Sequence, residues 1–374
     1  MKTVRQLLYR DVFWSVFFVT IAFVALFFFI DFVDEMSRVG RNGYTPGAAA
    51  LATLLEQPGH VYELFPIAVL IGTIYSMARL AQSSEFTILR TAGLGPSRAL
   101  SLLGVIGLLF ALLTFCLGEY VTPRSEQAAA FLKARFGMGL AIGRTGAWLK
   151  EHRQDPDGER GVTVNVRGVG KDGELTGVRI YEMDNGGRLI RSIAAGHALV
   201  ARARNVHEWT LMDTTETLWT APGPNGAEPR IRVTKAARMA WPTTLNASVA
   251  AAAVLPIQSM GAVDLWRYST HLAEQEQASQ TYRIQFWKRV LYPFACLVMV
   301  ALALPFAYLH ARAGGVSVKV FGGVMLGISF VLLNNVVGHL GLLRDWTPWI
   351  AASAPSALYL LLSMSAFAWL VRFR

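Results

Sequence analysis

Residues 80 to 95 read LAQSSEFTILRTAGLG, a short polar piece between two strongly apolar stretches. Ser83 or Ser84 suits a helix N-cap, Glu85 falls in the first turn where the helix dipole favours an acid, and Gly93 is placed to end the helix, with Pro96 beyond. On such a helix, at about residues 83–93, Phe86, Leu89 and Arg90 share one side at three- and four-residue spacing. An acid next to a small apolar anchor is docking chemistry: a charge pair combined with a desolvated contact. Taken from the residues alone, the pattern fits an interfacial turn packed on its own neighbours equally well.

Other residues capable of chemistry are dispersed. The seven histidines, His60, His152, His197, His207, His271, His310 and His339, do not lie at metal-ligand spacing from one another. Cys116 and Cys296 fall in apolar runs, where the expected role is that of a small buried hydrophobe. The chain has no G-x-x-x-x-G-K-[ST] loop, no H-E-x-x-H, no C-x-x-C and no G-x-S-x-G elbow. With nothing local to cradle ATP phosphates or activate a nucleophile, it reads as a non-catalytic protein without a cofactor.

The elements that must position the docking segment are set by composition. About half of the residues are hydrophobic and only 16% are charged, which points to a membrane protein. Runs free of Asp, Glu, Lys and Arg occupy 12–30, 64–78, 99–118, 290–309, 320–343 and 346–371. A bilayer core of roughly 30 Å takes about 20 helical residues. The second run reaches that length if Glu63 and Arg79 extend toward the interfaces, so six spans are expected. The first is too long for a signal peptide and is followed by Asp31, Asp34 and Glu35 instead of a cleavage site. Lys2, Arg5, Arg10, Arg79, Arg90, Arg98, Arg312, Lys319, Arg372 and Arg374 all fall on one side, against Arg38, Arg41 and Arg344 in the short loops of the other. The basic side is cytoplasmic, with both termini inside.

Residues 123–265 then form one large extracytoplasmic insertion, between spans one to three in 1–122 and spans four to six in 266–374. Its pattern alternates, as in VTVNV at 162–166, VRI at 178–180, WTL at 209–211 and IRV at 231–233, with Asp-Gly, Asn-Gly-Gly and Pro-Gly turn signals between. Short strands at this spacing argue for a β-sandwich or jelly-roll. The polar stretches 124–135 and 264–283 read as helical stalks joining it to the membrane. No ionisable group sits at a span centre, where an ion-coupled transporter would need partners for charge, and Asn334 and Asn335 are the deepest polar groups. The net charge of +10 belongs largely to the membrane edges, and no nucleic-acid motif accompanies it. Gly323-x-x-x-Gly327 permits close helix approach and would suit the seam with a partner subunit.

Four stretches carry a family resemblance: VYELFPIAVLIGTIYSMARLAQSSEFTILRTAG from Val61, FIDFVDEMSRVGRNGY by the first span, GEYVTPRSEQAA after the third and FWKRVLYPFACLVMVALALPF at the fourth. Over essentially its whole length the chain resembles the lipopolysaccharide export permeases of the LptF/LptG family, more closely the LptG branch than LptF. The resemblance implies a multi-pass protein of the bacterial inner membrane: six transmembrane helices with an inserted periplasmic β-jelly-roll, acting with LptF on a dimer of LptB ATPases. The docking segment then corresponds to a coupling helix, with Glu85 pairing a basic residue of LptB, Phe86 and Leu89 as the apolar anchor and Arg90 beside them. ATP-driven closure of LptB would squeeze a cavity between the permeases and expel the lipid. The jelly-roll would hand the lipid to LptC by joining sheet edges.

A cavity for a phosphorylated, many-chained glycolipid should be apolar at membrane depth and cationic toward its outer end. Phe28 and Phe32 of span one, Phe65 of span two, and Val324, Ile328 and Val331 on one face of span five are the candidates; each also fits plain lipid-facing or helix-packing surface. The resemblance further implies lysines at the outer end of span one. The matching stretch DFVDEMSRVGR keeps Arg38 and adds Arg41 but holds Asp31 and Ser37 where basic residues would be expected. A permease of the same build for another lipid or lipoprotein, the LptF paralogue, and a sensor signalling through the docking segment are the competing readings.

Overall fold

The structure, a computed structural model, describes residues 2–83, 91, 95–136, 146–155, 158–169, 174–200, 208–220, 230–243, 245, 257–274, 279–308 and 315–372. The docking residues Glu85, Phe86, Leu89 and Arg90 lie outside the described residues. The chain divides into two compact units, residues 1–129 with 283–374, and residues 130–282.

In the first unit each apolar run has become part of a longer helix. These are α1 (Lys2–Met36), α2 (Pro46–Gln82), α3 (Pro96–Cys116), continued by a π-turn and α4 (Thr122–Ala134), and, after the second unit, α6 (Gln280–Tyr308), α7 (Val316–Leu343) and α8 (Pro348–Arg372). Among the described residues, six helices are long and apolar enough to cross a membrane. Trp349 and Trp369, both exposed on α8, stand twenty residues apart, about 30 Å of helix, which matches the separation of the two aromatic belts of a bilayer.

The turn between α1 and α2 requires left-handed backbone, and Gly40, Asn42 and Gly43 take φ of 91°, 49° and 78°. Thr45 then caps α2, its hydroxyl accepting from the Ala48 N–H at 3.2 Å, with Pro46 in the first turn. This end of the membrane unit is called the turn end below. The opposite end, where α2 gives way to residues 84–94, is the segment end.

Helix α2 is the hub of the unit, and nearly every residue from Phe65 to Ile74 is buried. Lipid supplies no hydrophobic force between helices, so association depends on close packing. At Gly72, α2 meets α1 so closely that an added Cβ would lie 2.6 Å from the Val16 Cα and N. On another face Gly323 and Gly327 of α7 meet Ile74 and Ile67, where an added Cβ would lie 2.6 Å from each side chain. The G-x-x-x-G seam is therefore internal to the chain, against α2, and not with a partner subunit as the sequence suggested. Cys296 is buried with its sulfur 3.2 Å from the Thr114 hydroxyl, as expected. Cys116 is exposed, against expectation; toward lipid tails a thiol gains nothing by burial in protein.

The second unit carries β1 (Ala147–Asp155), β2 (Gly158–Val166), β3 (Gly168–Val169), β4 (Leu175–Met183), β5 (Leu189–Val200), β6 (Glu208–Thr220) and β7 (Arg230–Pro242). All pairings are antiparallel, in the order β1-β2-β4-β5-β6-β7 with β3 beside β4. The four alternating stretches read from the sequence all lie in strands. The register sets Leu149, Val164, Ile180 and Ile193 across from one another, and all four are buried. Further along, Trp209 and Trp241 pair edge to face at 5.5 Å, and their indole N–H groups donate to Leu245 O at 2.9 Å and Glu182 Oε1 at 3.3 Å. Arg191 joins Glu182 at 3.4 Å and Glu216 at 2.6 Å, so the acids of this inner face are compensated. In the β4–β5 hairpin the Asp184 carboxylate accepts from the Gly186 and Arg188 N–H groups, both at 2.9 Å; the Arg188 N–H first, and its guanidinium, hold this carboxyl below the ordinary value. Helix α5 (Ala262–Glu274) completes the unit.

Candidate functional site

At the turn end, α1 and α2 bring an acidic and a basic side chain together across the helix pair. The His60 Nε2 lies 2.8 Å from Asp31 Oδ2, which also accepts from Gln57 Nε2 at 3.3 Å. Phe27 stacks on the His60 ring with centroids 5.0 Å apart. Gln57 also donates to Thr53 O at 3.2 Å, yet Gln57 Oε1 and Thr53 Oγ1 stay buried without a hydrogen-bond partner among the described residues. One turn further along α1, Glu35 is 5% exposed and accepts from the Tyr44 phenol at 3.0 Å and from Arg38 at 3.1 Å. Burial first, and then the Glu35 carboxylate, hold the Tyr44 phenol well above its ordinary pKa. Below His60 a narrow apolar crevice runs between the two helices, lined by Thr20, Phe23, Val24, Leu64, Phe65 and Ala68 among others.

The residues expected to meet lipid take different places. Arg38 is half exposed while paired to Glu35, and Arg41 is exposed in the turn. Phe28 and Phe32 stack in parallel at 5.9 Å on α1. Phe65 reaches the crevice with its back to Phe110, edge to face at 5.8 Å. On α7, Ile328 is 46% exposed, Val324 is half buried and Val331 packs against the core. Gly323 and Gly327 turn their own face of α7 to α2, which leaves Ile328 outward.

The sequence marks His60 only as one of seven scattered histidines and does not single out the cations of α6. Lys288 and Arg289 precede the apolar run 290–309, but α6 begins at Gln280 and includes both. The Lys288 ammonium donates to Asn334 O at 3.1 Å. Arg289 donates to Gly118 O through Nε at 3.2 Å and Nη2 at 2.6 Å and lies over the Tyr62 ring, 5.5 Å from its centroid. Gly118 belongs to the π-turn Leu117–Val121, where the regular helix ladder is interrupted and a carbonyl needs another donor. The signal available was the pair of cations in FWKRVLYPF, since charges tolerated at membrane depth carry partners. We expect Arg289→Met to lower the thermal midpoint of the detergent-purified chain, losing about 2 kcal/mol for a buried carbonyl deprived of a charged donor. Arg289→Lys should lose less, and unchanged melting of both variants would contradict this role.

At the segment end, the Ser83 N–H donates to Arg79 O at 3.0 Å as α2 closes, and Arg79 pairs with Asp11 of α1 at 2.6 Å. Helix α3 opens at Pro96 behind Gly95. The segment between is thus flanked by helices that belong to one packed unit. Among the described residues no group of three His, Cys, Asp or Glu side chains could hold a metal ion.

Comparison with known proteins adds a family match. Residues 6–372 match the family described as lipopolysaccharide export system permease LptF/LptG. The sequence is similar to lipopolysaccharide export system permease protein LptG of Escherichia coli K12, 28% identical over 358 residues that cover 95% of each chain. A protein of the same name from Haemophilus influenzae is 25% identical over 364 residues, 96% of this chain and 97% of the relative.

Proposed function

Since this chain belongs to the lipopolysaccharide export system permease LptF/LptG family and is a permease subunit of lipopolysaccharide export, we propose that it converts work done by a separate ATPase into expulsion of lipid from the inner membrane. It is the non-catalytic half of the machine. Its partners are LptF in the membrane, an LptB dimer that hydrolyses ATP, and LptC, which receives lipid from the β domain. Both termini and the segment end are cytoplasmic; the turn end and the β domain are periplasmic.

One observation carries this reading: α2 runs unbroken from Pro46 to Gln82, about 55 Å, and touches every part the work must reach. Its last turn leads into the segment with Glu85, Phe86, Leu89 and Arg90, the coupling residues. Its middle is locked to α1 at Gly72 and to α7 at Ile67 and Ile74. Its first half holds Gln57 and His60 against Asp31. Displacement at one end therefore shifts the seams with α1 and α7 together, because packed helices move as bodies.

Phe28, Phe32, Phe65, Val324, Ile328 and Val331 would then meet acyl chains, and Arg38 and Arg41 the phosphates. With Asp31 paired to His60, the end of α1 is less cationic than lysines there would make it, so the arginines and LptF carry most of the charge recognition. Purification from membranes in mild detergent should bring down an ATPase and a second six-span permease. Recovery of the chain with neither would count against the proposal, and recovery of the ATPase with other partners would point to a different cargo.

A further inference from the structure

Helix α5 has two distinct faces. Leu265, Tyr268, Ser269 and Leu272 are buried, whereas Val263 and Trp266 are each 53% exposed and Arg267 is exposed beside them. At 100° per residue, Trp266, Thr270, Val263 and Arg267 fall within about 100° of arc, so the exposed indole, valine and cation form one stripe with the half-buried Thr270 among them. The location of this stripe is constrained twice. The Tyr268 ring meets the ring of Tyr282, in the first turn of α6, with centroids 4.7 Å apart and planes at 79°. The link from Glu274 to Gln280 is also too short to reach beyond about 20 Å. Helix α5 is thereby held beside the entrance of a membrane span.

We infer that α5 is an interfacial helix, lying on the membrane surface where α6 enters, with Val263 and Trp266 in the headgroup layer and Arg267 against lipid phosphates. The occupant of the stripe is lipid, by its place beside the first turn of α6 and by composition: tryptophan with an adjacent arginine suits a zone that is apolar on one side and anionic on the other. The inference rests on the reading of α6 as a membrane span and is independent of which side of the membrane α5 occupies. It gives the chain a footing immediately before α6.

The test uses the full chain in proteoliposomes of phosphatidylethanolamine and phosphatidylglycerol, with Cys116 and Cys296 replaced by alanine. Nitroxides are placed by Val263→Cys and Thr270→Cys, and by Ile231→Cys on the exposed strand β7 as a reference. Power saturation should show Val263 and Thr270 more accessible to oxygen than to a water-soluble nickel chelate, with the reverse at Ile231. Chelate accessibility at Val263 equal to that at Ile231 would overturn the inference, and so would protection from both agents, which would mean that protein covers the stripe. In the chain that keeps its cysteines, Trp266→Phe should reduce the tryptophan quenching produced by lipids brominated near the headgroup; an unchanged quenched fraction would also overturn it. Labelling of Ile231→Cys in spheroplasts by an impermeant maleimide reports separately on the periplasmic reading of the β domain, so failure of that reading and failure of this inference give different results.

Discussion

Glu85→Arg is expected to abolish lipopolysaccharide export while the chain still accumulates in the membrane. On the proposed reading Glu85 faces a cation of the ATPase in a contact that excludes water, with Phe86 and Leu89 seated beside it. Reversing the charge replaces an attraction with a repulsion at close range, a change of about 2–5 kcal/mol, and each 1.4 kcal/mol is roughly a factor of ten in binding. Copurified ATPase should fall at least tenfold, and the variant should fail to support growth when it is the only copy. Glu85→Gln removes the attraction without adding repulsion and should fall between. Growth and ATPase recovery at the level of the unaltered chain would remove Glu85 from the contact.

Gly72→Leu should be the most damaging change inside the membrane unit. The obstacle at Gly72 is the backbone of Val16, 2.6 Å from an added Cβ, so no side-chain rotamer relieves it and alanine already forces the helices apart. Overpacking of this kind costs about 1–3 kcal/mol, and here separation of α1 and α2 also opens the Asp31–His60 pairing and the crevice beneath it. Gly72→Ala should fold with a lower melting temperature and weaker export, and Gly72→Leu should be lost from the monodisperse fraction in detergent chromatography. Gly104→Ala is the control: nothing lies within 4 Å of a Cβ there, so it should be neutral, or slightly stabilising through helix propensity. Equal behaviour of the Gly72 and Gly104 variants would show that the α1–α2 approach is looser than described.

The six spans could be read because one physical requirement, an apolar length matched to the bilayer, determines them almost alone. The strands could be read where alternation is strict, as at VTVNV, since a half-buried sheet imposes a period of two. Helix ends were less accessible. The apolar run of span two starts at Leu64 while α2 begins at Pro46, because Glu56 and Glu63 break the run without breaking the helix. Lys288 and Arg289 were displaced for the same reason. The Gly323–Gly327 motif was recognised but given the wrong neighbour; close approach is written in the glycines, whereas the identity of the facing helix depends on how all six pack. The Asp31–His60 pair needed two positions 29 residues apart in sequence to be seen as one site. Asp31 alone had only the look of a missing lysine, and His60 alone that of one of seven scattered histidines.

On the proposed reading, displacement of the segment after Gln82 is carried by α2 to a lipid held by α1 and α7. A photo-reactive residue at Ile328, in the complete transporter in proteoliposomes loaded with lipopolysaccharide, reports that lipid directly. Without nucleotide, both the unaltered chain and a Glu85→Arg variant, whose complex has shed most of its ATPase, should crosslink lipopolysaccharide. With ATP, the adduct should decline only in the unaltered chain. An ATP-driven decline in both chains, or lipopolysaccharide crosslinked at Ile328 in neither, would contradict the account.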